Sequence, residues 1–170
     1  YLKIPIVDQI ITLHIVIMRG IPPLVLLLLI FFSTNFGSPV IAAIFGLVLY
    51  HSAYIAEIIR GGIKSIPEGQ FEAAYSLGLR FDQVMRFAIL PQVWRAVIPS
   101  ITGQYILLTK DTALVSAIGV MEILSKGRHA IQQAGHTFLV YFLVGLFYFV
   151  ICFTLEKLSA YTENKFSLQR

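Results

Sequence analysis

Residues 20 to 56 contain no Asp, Glu, Lys or Arg, an uncharged run of 37 positions. As a single helix it would reach about 55 Å, well beyond the roughly 30 Å hydrocarbon thickness of a bilayer. The run therefore has to turn, and STNFGSP at residues 33–39 supplies the turn chemistry. Composition points the same way: 57% of the 170 residues are hydrophobic and only 13% are charged. Soluble domains carry about 25% charged residues. The chain reads as an all-α, polytopic helical membrane protein.

Four transmembrane helices are expected, at about residues 11–35, 38–59, 97–121 and 138–156. Counted from Gly20 the first has only about 16 residues, or ~24 Å of helix. It is expected to borrow residues 10–18, with Arg19 in the inner half of the membrane or at its interface and a kink at Pro22 and Pro23. The third span contains Lys110 and Asp111, and the fourth is FLVYFLVGLFYFVICF with a short extension to Glu156.

Lys and Arg counts set the orientation. With the 60–96 loop in the cytoplasm, Lys3, Arg19, Arg60, Lys64, Arg80, Arg86, Arg95, Lys157, Lys165 and Arg170 lie inside. Only Lys126 and Arg128 lie outside, a ratio of ten to two, with Lys110 left in the third span. The formal charge of +4 comes from scattered residues rather than a basic run, which suits a membrane surface and excludes nucleic acid. A lone Cys152 excludes an intrachain disulfide or zinc framework.

The 60–96 loop has its own order. Gly61 and Gly62 are expected to end the second span. Ser65 and Glu68 then have the spacing of a capping box, with Pro67 in the first turn. The helix over EGQFEAAYSL meets Gly78, a candidate left-handed C-terminal cap. Phe71, Ala74 and Tyr75 share one side, Glu68 and Glu72 another. A second short helix, RFDQVMRFAIL, is expected to stop at Pro91. Such a two-helix elbow either lies on the headgroups or inserts an aromatic face into a groove on a soluble partner. Its two glutamates weigh against anionic headgroups.

EAAYSLGLRFDQVMRFAILP at residues 72–91 resembles the EAA loop of binding-protein-dependent ABC importer permeases, through Glu72, Ala73, Ala74, Gly78, Leu90 and Pro91. Ala88 departs mildly from the Ile or Val usual there. MRGIPPLVLLLLIFF, AYIAEIIRGGIKSIPEGQFEAAYSLGL, ILPQVWRAVIPS and LLTKDTALVSAIGVMEI, in that order over residues 18–123, resemble the polar amino acid uptake group. The family carries another hydrophobic span before its RGTP-like block, so the resemblance implies a first transmembrane helix ahead of Tyr1.

The resemblance implies a multi-pass protein of a bacterial plasma or inner membrane, with EAA loop and C-terminus cytoplasmic. Implied partners are an ABC ATPase subunit, a second membrane permease subunit, identical or paralogous, and an extracytoplasmic amino acid-binding protein. ATP and Mg2+ would sit on the ATPase, with no cofactor on this chain, which has no GxxxxGK[ST]. Glu68, Phe71, Glu72, Ala73, Ala74, Tyr75, Gly78, Leu90 and Pro91 are the implied ATPase-coupling residues.

Ionisable residues inside spans are costly and default to a functional reading. Lys110 and Asp111, beside Tyr105, Thr109, Thr112 and Ser116, either fix helix packing or line a solute path. In the second span His51 is either a buried histidine satisfied by a neighbouring carbonyl or a pathway residue, and Tyr54 lies one turn on. His51, Tyr54, Lys110, Asp111 and Thr112 form the candidate substrate pathway. Glu57 and Arg60 have the spacing of a helix-end ion pair. His14 is expected at the interface, and His129 and His136 in a solvated outer loop, GRHAIQQAGH. An enzyme reading through His129, His136 and Asp111 lacks a nucleophile–base pair or metal-ligand spacing. A passive channel or structural bundle explains the spans but leaves the capped elbow without a purpose.

Overall fold

The computed structural model describes residues 5–33 and 36–167. Lys3 and Arg170 of the charge count, and Thr34 and Asn35 of the predicted turn, lie outside them. The described residues are helical throughout, without strands. Helix α1 covers Pro5–Gly20, α2 Pro23–Ser33, α3 Pro39–Lys64 and α4 Glu68–Ser76. Then come α5 (Phe81–Gln83), a π-helical segment (Val84–Ile89), α6 (Leu90–Asp111) and a 3-10 segment (Thr112–Ile118). The last two are α7 (Ile123–Ala134) and α8 (Thr137–Ser167). By length and composition α3 and α8 can each cross a membrane, and the α1–α2 pair makes a third crossing if it is one broken span.

The predicted first span is not one kinked helix. The axes of α1 and α2 differ by 109°. Each proline forces the residue before it out of the helical region and neither can donate a hydrogen bond, so two in succession break the helix. The second helix restarts with Leu26 N–H donating to Pro22 O at 3.1 Å. Ile15 is buried, and His14 Nε2 lies 3.1 Å from Ser52 Oγ, so α1 is tied to α3.

Helix α6 is the centre of the packing, flanked by α3 and α8. One core, of Leu27, Ala42, Ala43, Val115 and Ile118, joins α2, the start of α3 and the 3-10 segment. Another, of Ala74, Val84, Ile89, Val93 and Val97, lies beneath α4. Only 11% of the apolar window of α8 is buried, so that helix has one flank on the protein and most of its surface free for lipid.

The predicted stop at Gly61 and Gly62 is overturned, because α3 runs through both to Lys64. Gly62 is buried against α6, and a Cβ there would overlap Val97 Cγ1. The glycine permits close helix contact instead of ending the helix. The expected capping box is also absent. Ser65 ends α3, its Oγ donating to Gly62 O at 2.8 Å, and α4 begins after Pro67 with no side-chain cap.

Pro91 does not stop a helix either. It lies in the first turn of α6, where its missing N–H is tolerated, and the π segment before it absorbs the mismatch. Finally, GRHAIQQAGH is largely helical. Glu122 N-caps α7, accepting from Leu124 N–H and Ser125 N–H at 2.6 Å each, while Ser125 Oγ accepts from Glu122 N–H at 2.7 Å. Tyr148 Oη donates to Glu122 Oε2 at 2.9 Å, fixing α7 on α8. His129 and His136 are both exposed, His129 on α7 itself.

Adjacent glycines test the close contact. Gly61 has nothing within 4 Å of its notional Cβ, unlike Gly62. Gly62→Leu is expected to cost about 1–3 kcal/mol through overpacking, and Gly61→Ala to be neutral or slightly stabilising. Thermal unfolding in detergent checks this: only the Gly62 variant should melt several degrees lower.

Candidate functional site

Two features stand out once the helices are in place: the exposed elbow around α4 and a polar seam between α1, α3 and α6.

In the elbow, Gly78 has φ +75°, the left-handed conformation expected of it. Its N–H donates to Tyr75 O at 2.9 Å, and Leu77 N–H donates to Ala73 O at 3.3 Å, closing the end of α4. A Cβ would meet no neighbour at Gly78, so backbone strain alone favours glycine there. Ala74 is buried at 5% exposure, and half-buried Phe71 packs on the same core over Val84 and Ile89. Gln92 Nε2 donates to Gln70 Oε1 at 3.1 Å, a second tie between α4 and α6.

These anchors leave a distinct outer face. Glu68, Glu72, Ala73 and Tyr75 are exposed, and Leu77 is 80% exposed. Leu90 and Pro91 are exposed at the start of α6. The nine predicted coupling residues thus divide: Ala74 and Phe71 seat the helix, while the others face outward or, in Gly78, turn the chain. Leu77 was missed from the sequence, and its position beside the turning glycine was the available signal. Beyond the turn, Arg80 Nε and Nη2 donate to Asp82 Oδ1 and Oδ2 at 3.2 and 3.0 Å. Those bonds hold the Asp82 carboxyl below, and the Arg80 guanidinium above, their ordinary ranges.

In the seam, Glu57 Oε2 lies 3.8 Å from Arg19 Nη1 and 3.9 Å from Arg60 Nη1. The expected Glu57–Arg60 pair is present, and Arg19 is a member the sequence did not reveal. The Arg19 guanidinium also lies 5.7 Å from the Tyr54 ring centroid, within cation–π range. Tyr50 and Tyr54 hydroxyls are 3.0 Å apart. Deeper in the seam, His51 Nδ1 is 2.8 Å from Gln104 Nε2, and His51 Nε2 is 3.3 Å from Asp111 Oδ2.

The predicted pathway set is only partly gathered. His51 and Asp111 meet, with Tyr54 along the same face of α3. Lys110 is exposed and makes no ion pair among the described residues. Thr112 Oγ1 donates to Thr109 O at 2.6 Å, a bond within the helix end. Gln104, buried at 8% exposure, had no charge or motif to mark it in sequence. Among the described residues no three His, Cys, Asp or Glu side chains converge on a metal position.

Residues 3–167 match the family model described as binding-protein-dependent transport system inner membrane component. The chain belongs to this family. The permease is 34% identical to the inner membrane amino-acid ABC transporter permease protein YhdY of Escherichia coli (strain K12), over 98% of this chain. It spans only 48% of YhdY, about half that protein's length. Against the probable glutamine ABC transporter permease protein GlnP of Bacillus subtilis (strain 168) it is 37% identical, over 92% of this chain and 75% of GlnP. The L-cystine transport system permease protein TcyL of the same organism is 34% identical over 96% of this chain and 73% of its own. The permease fold superposes on a chain from the crystal structure of an amino acid ABC transporter with histidines, with TM-score 0.90 and 33% identity. That match covers 96% of this chain and 78% of the other.

The elbow's inward and outward alanines make a direct test. Ala74→Leu is expected to destabilise the permease by about 1–3 kcal/mol, because there is no room over Val84 and Ile89. Ala73→Leu, on the exposed face, is expected to stay within about 0.5 kcal/mol. Detergent unfolding curves of the two variants should separate accordingly.

Proposed function

We propose that this permease is the membrane subunit of an ATP-driven amino acid importer, and that α4 docks on a separate ATPase. Family membership and amino acid permease relatives support the class. The observation that carries the docking reading is the two-faced elbow. Ala74 and Phe71 fasten α4 to the π segment, while Glu72, Ala73, Tyr75 and Leu77 are exposed. An exposed helix with a small residue flanked by an acid and apolar side chains suits a groove on a soluble protein. Glu68 and Glu72 fit anionic headgroups poorly. A passive channel would need no such element.

The mechanism follows from the connections. ATP and Mg2+ belong to the partner ATPase, and two such ATPases closing on nucleotide would carry their docked elbows together. Because α4 rests on the segment that continues into α6, displacement of the elbow is delivered to α6 and so to Gln104 and Asp111. Two membrane subunits would frame the pathway, and an extracytoplasmic amino acid-binding protein would deliver the solute. Asp111 and Tyr54 are the pathway candidates the geometry favours, and the predicted His51, 4% exposed, meets Asp111 from α3. Lys110 and Thr112 have weaker geometric support. In this arrangement the elbow and C-terminus face the cytoplasm of a bacterial plasma or inner membrane.

Co-purification from detergent tests the docking face. Glu72→Lys, Gly78→Asp and Ala73→Leu are expected to weaken ATPase association about tenfold or more, as central interface changes do. Undiminished association of all three would refute docking through α4. Independently, cysteines introduced between residues 65 and 86 should resist a membrane-impermeant thiol reagent applied outside intact cells. Labelling from outside would put the elbow beyond reach of any cytoplasmic ATPase.

A further inference from the structure

His51 is 4% exposed and Gln104 8% exposed, on α3 and α6 respectively. A carboxamide N–H can only donate, so with Gln104 Nε2 at 2.8 Å the His51 Nδ1 accepts and the ring proton resides on Nε2. That Nε2 is buried and has no aligned hydrogen-bond partner, although Asp111 Oδ2 lies 3.3 Å away. A buried N–H left in this state is costly, and the Asp111 carboxylate is the acceptor within reach at 3.3 Å. The Asp111 side chain is 27% exposed, and no second ion pair or hydrogen bond occupies it among the described residues.

We propose that Gln104 and His51 are positioning residues for Asp111. Donors running from Gln104 to His51 to Asp111 engage one carboxylate oxygen and leave the other for the cationic group of the transported solute. An amino acid's ammonium is the chemical class that fits. This inference rests on the reading of Asp111 as a pathway residue. A bond that merely clamps α3 to α6 would need no particular nitrogen of the ring. The positioning role needs Nε2.

Asparagine and glutamine separate the two, because the Asn amide overlays Nδ1 and the Gln amide overlays Nε2. The complete importer, with its ATPase and binding protein, is reconstituted in proteoliposomes and uptake of the radiolabelled proteinogenic L-amino acids is measured. For the solute accumulated most, His51→Gln is expected to keep KM within about threefold, whereas His51→Asn raises it about tenfold with kcat less affected. Asp111→Asn should raise KM at least as much. Unchanged KM in Asp111→Asn would overturn the pathway reading and the positioning role with it. A raised KM there, with His51→Asn and His51→Gln behaving alike, would overturn positioning alone. Should the His51 variants fail to assemble, Gln104→Leu decides. It is expected to raise KM and to replace a single Nε2–H tautomer of His51 by a mixture in the nitrogen-15 spectrum. Unchanged KM and spectrum in that variant would refute the relay.

Discussion

The close approach of α3 to α6 at Gly62 is the contact on which the rest of the structure depends. Removing one side chain there lets Val97 and Val93 pack directly on the α3 backbone. Two consequences follow along the same pair of helices. Toward the elbow, Val93 and Val97 continue into the core that seats α4. In the other direction, the pair holds His51 opposite Gln104 and Asp111. Spread the helices by a methyl group, and both the elbow seat and the buried polar contacts lose their geometry.

The helical path from residue 81 to 118 is irregular. It passes from the three-residue α5 into a π segment, carries prolines at 91 and 99, and closes with a 3-10 segment. Departures of this kind tend to gather where proteins work. Here they bracket the stretch that links the elbow to the polar seam, which is the stretch a coupled transporter would need to move.

Much of the fold was legible in sequence, for reasons particular to certain residues. The uncharged run required more than one helix, and α2 ends at Ser33 while α3 begins at Pro39. Gly78 adopts the left-handed cap its place after a helix suggested. Other signals were read through the wrong cause. Gly61 and Gly62 looked like a terminator, yet the pair lies inside α3, since a glycine required by a neighbouring helix cannot be told from one that ends its own. Ser65 and Glu68 had capping-box spacing, but Ser65 already served the end of α3. Pro91 looked like a stop and lies in a first turn. Gln104 carried no local signal at all. Its role comes from a histidine 53 positions away.

By itself the sequence determined the class of solvent this chain folds in, the existence of a short elbow helix turned by Gly78, and its family. These depend on composition and local spacing, which bilayer thickness and backbone hydrogen bonding translate directly into helices. Only the tertiary structure decided that the first apolar segment breaks by 109°, that Ala74 points in while Ala73 points out, and that Asp111 rather than Lys110 meets His51. Those outcomes turn on which face of one helix its neighbour occupies, a long-range packing choice that no window along the chain contains.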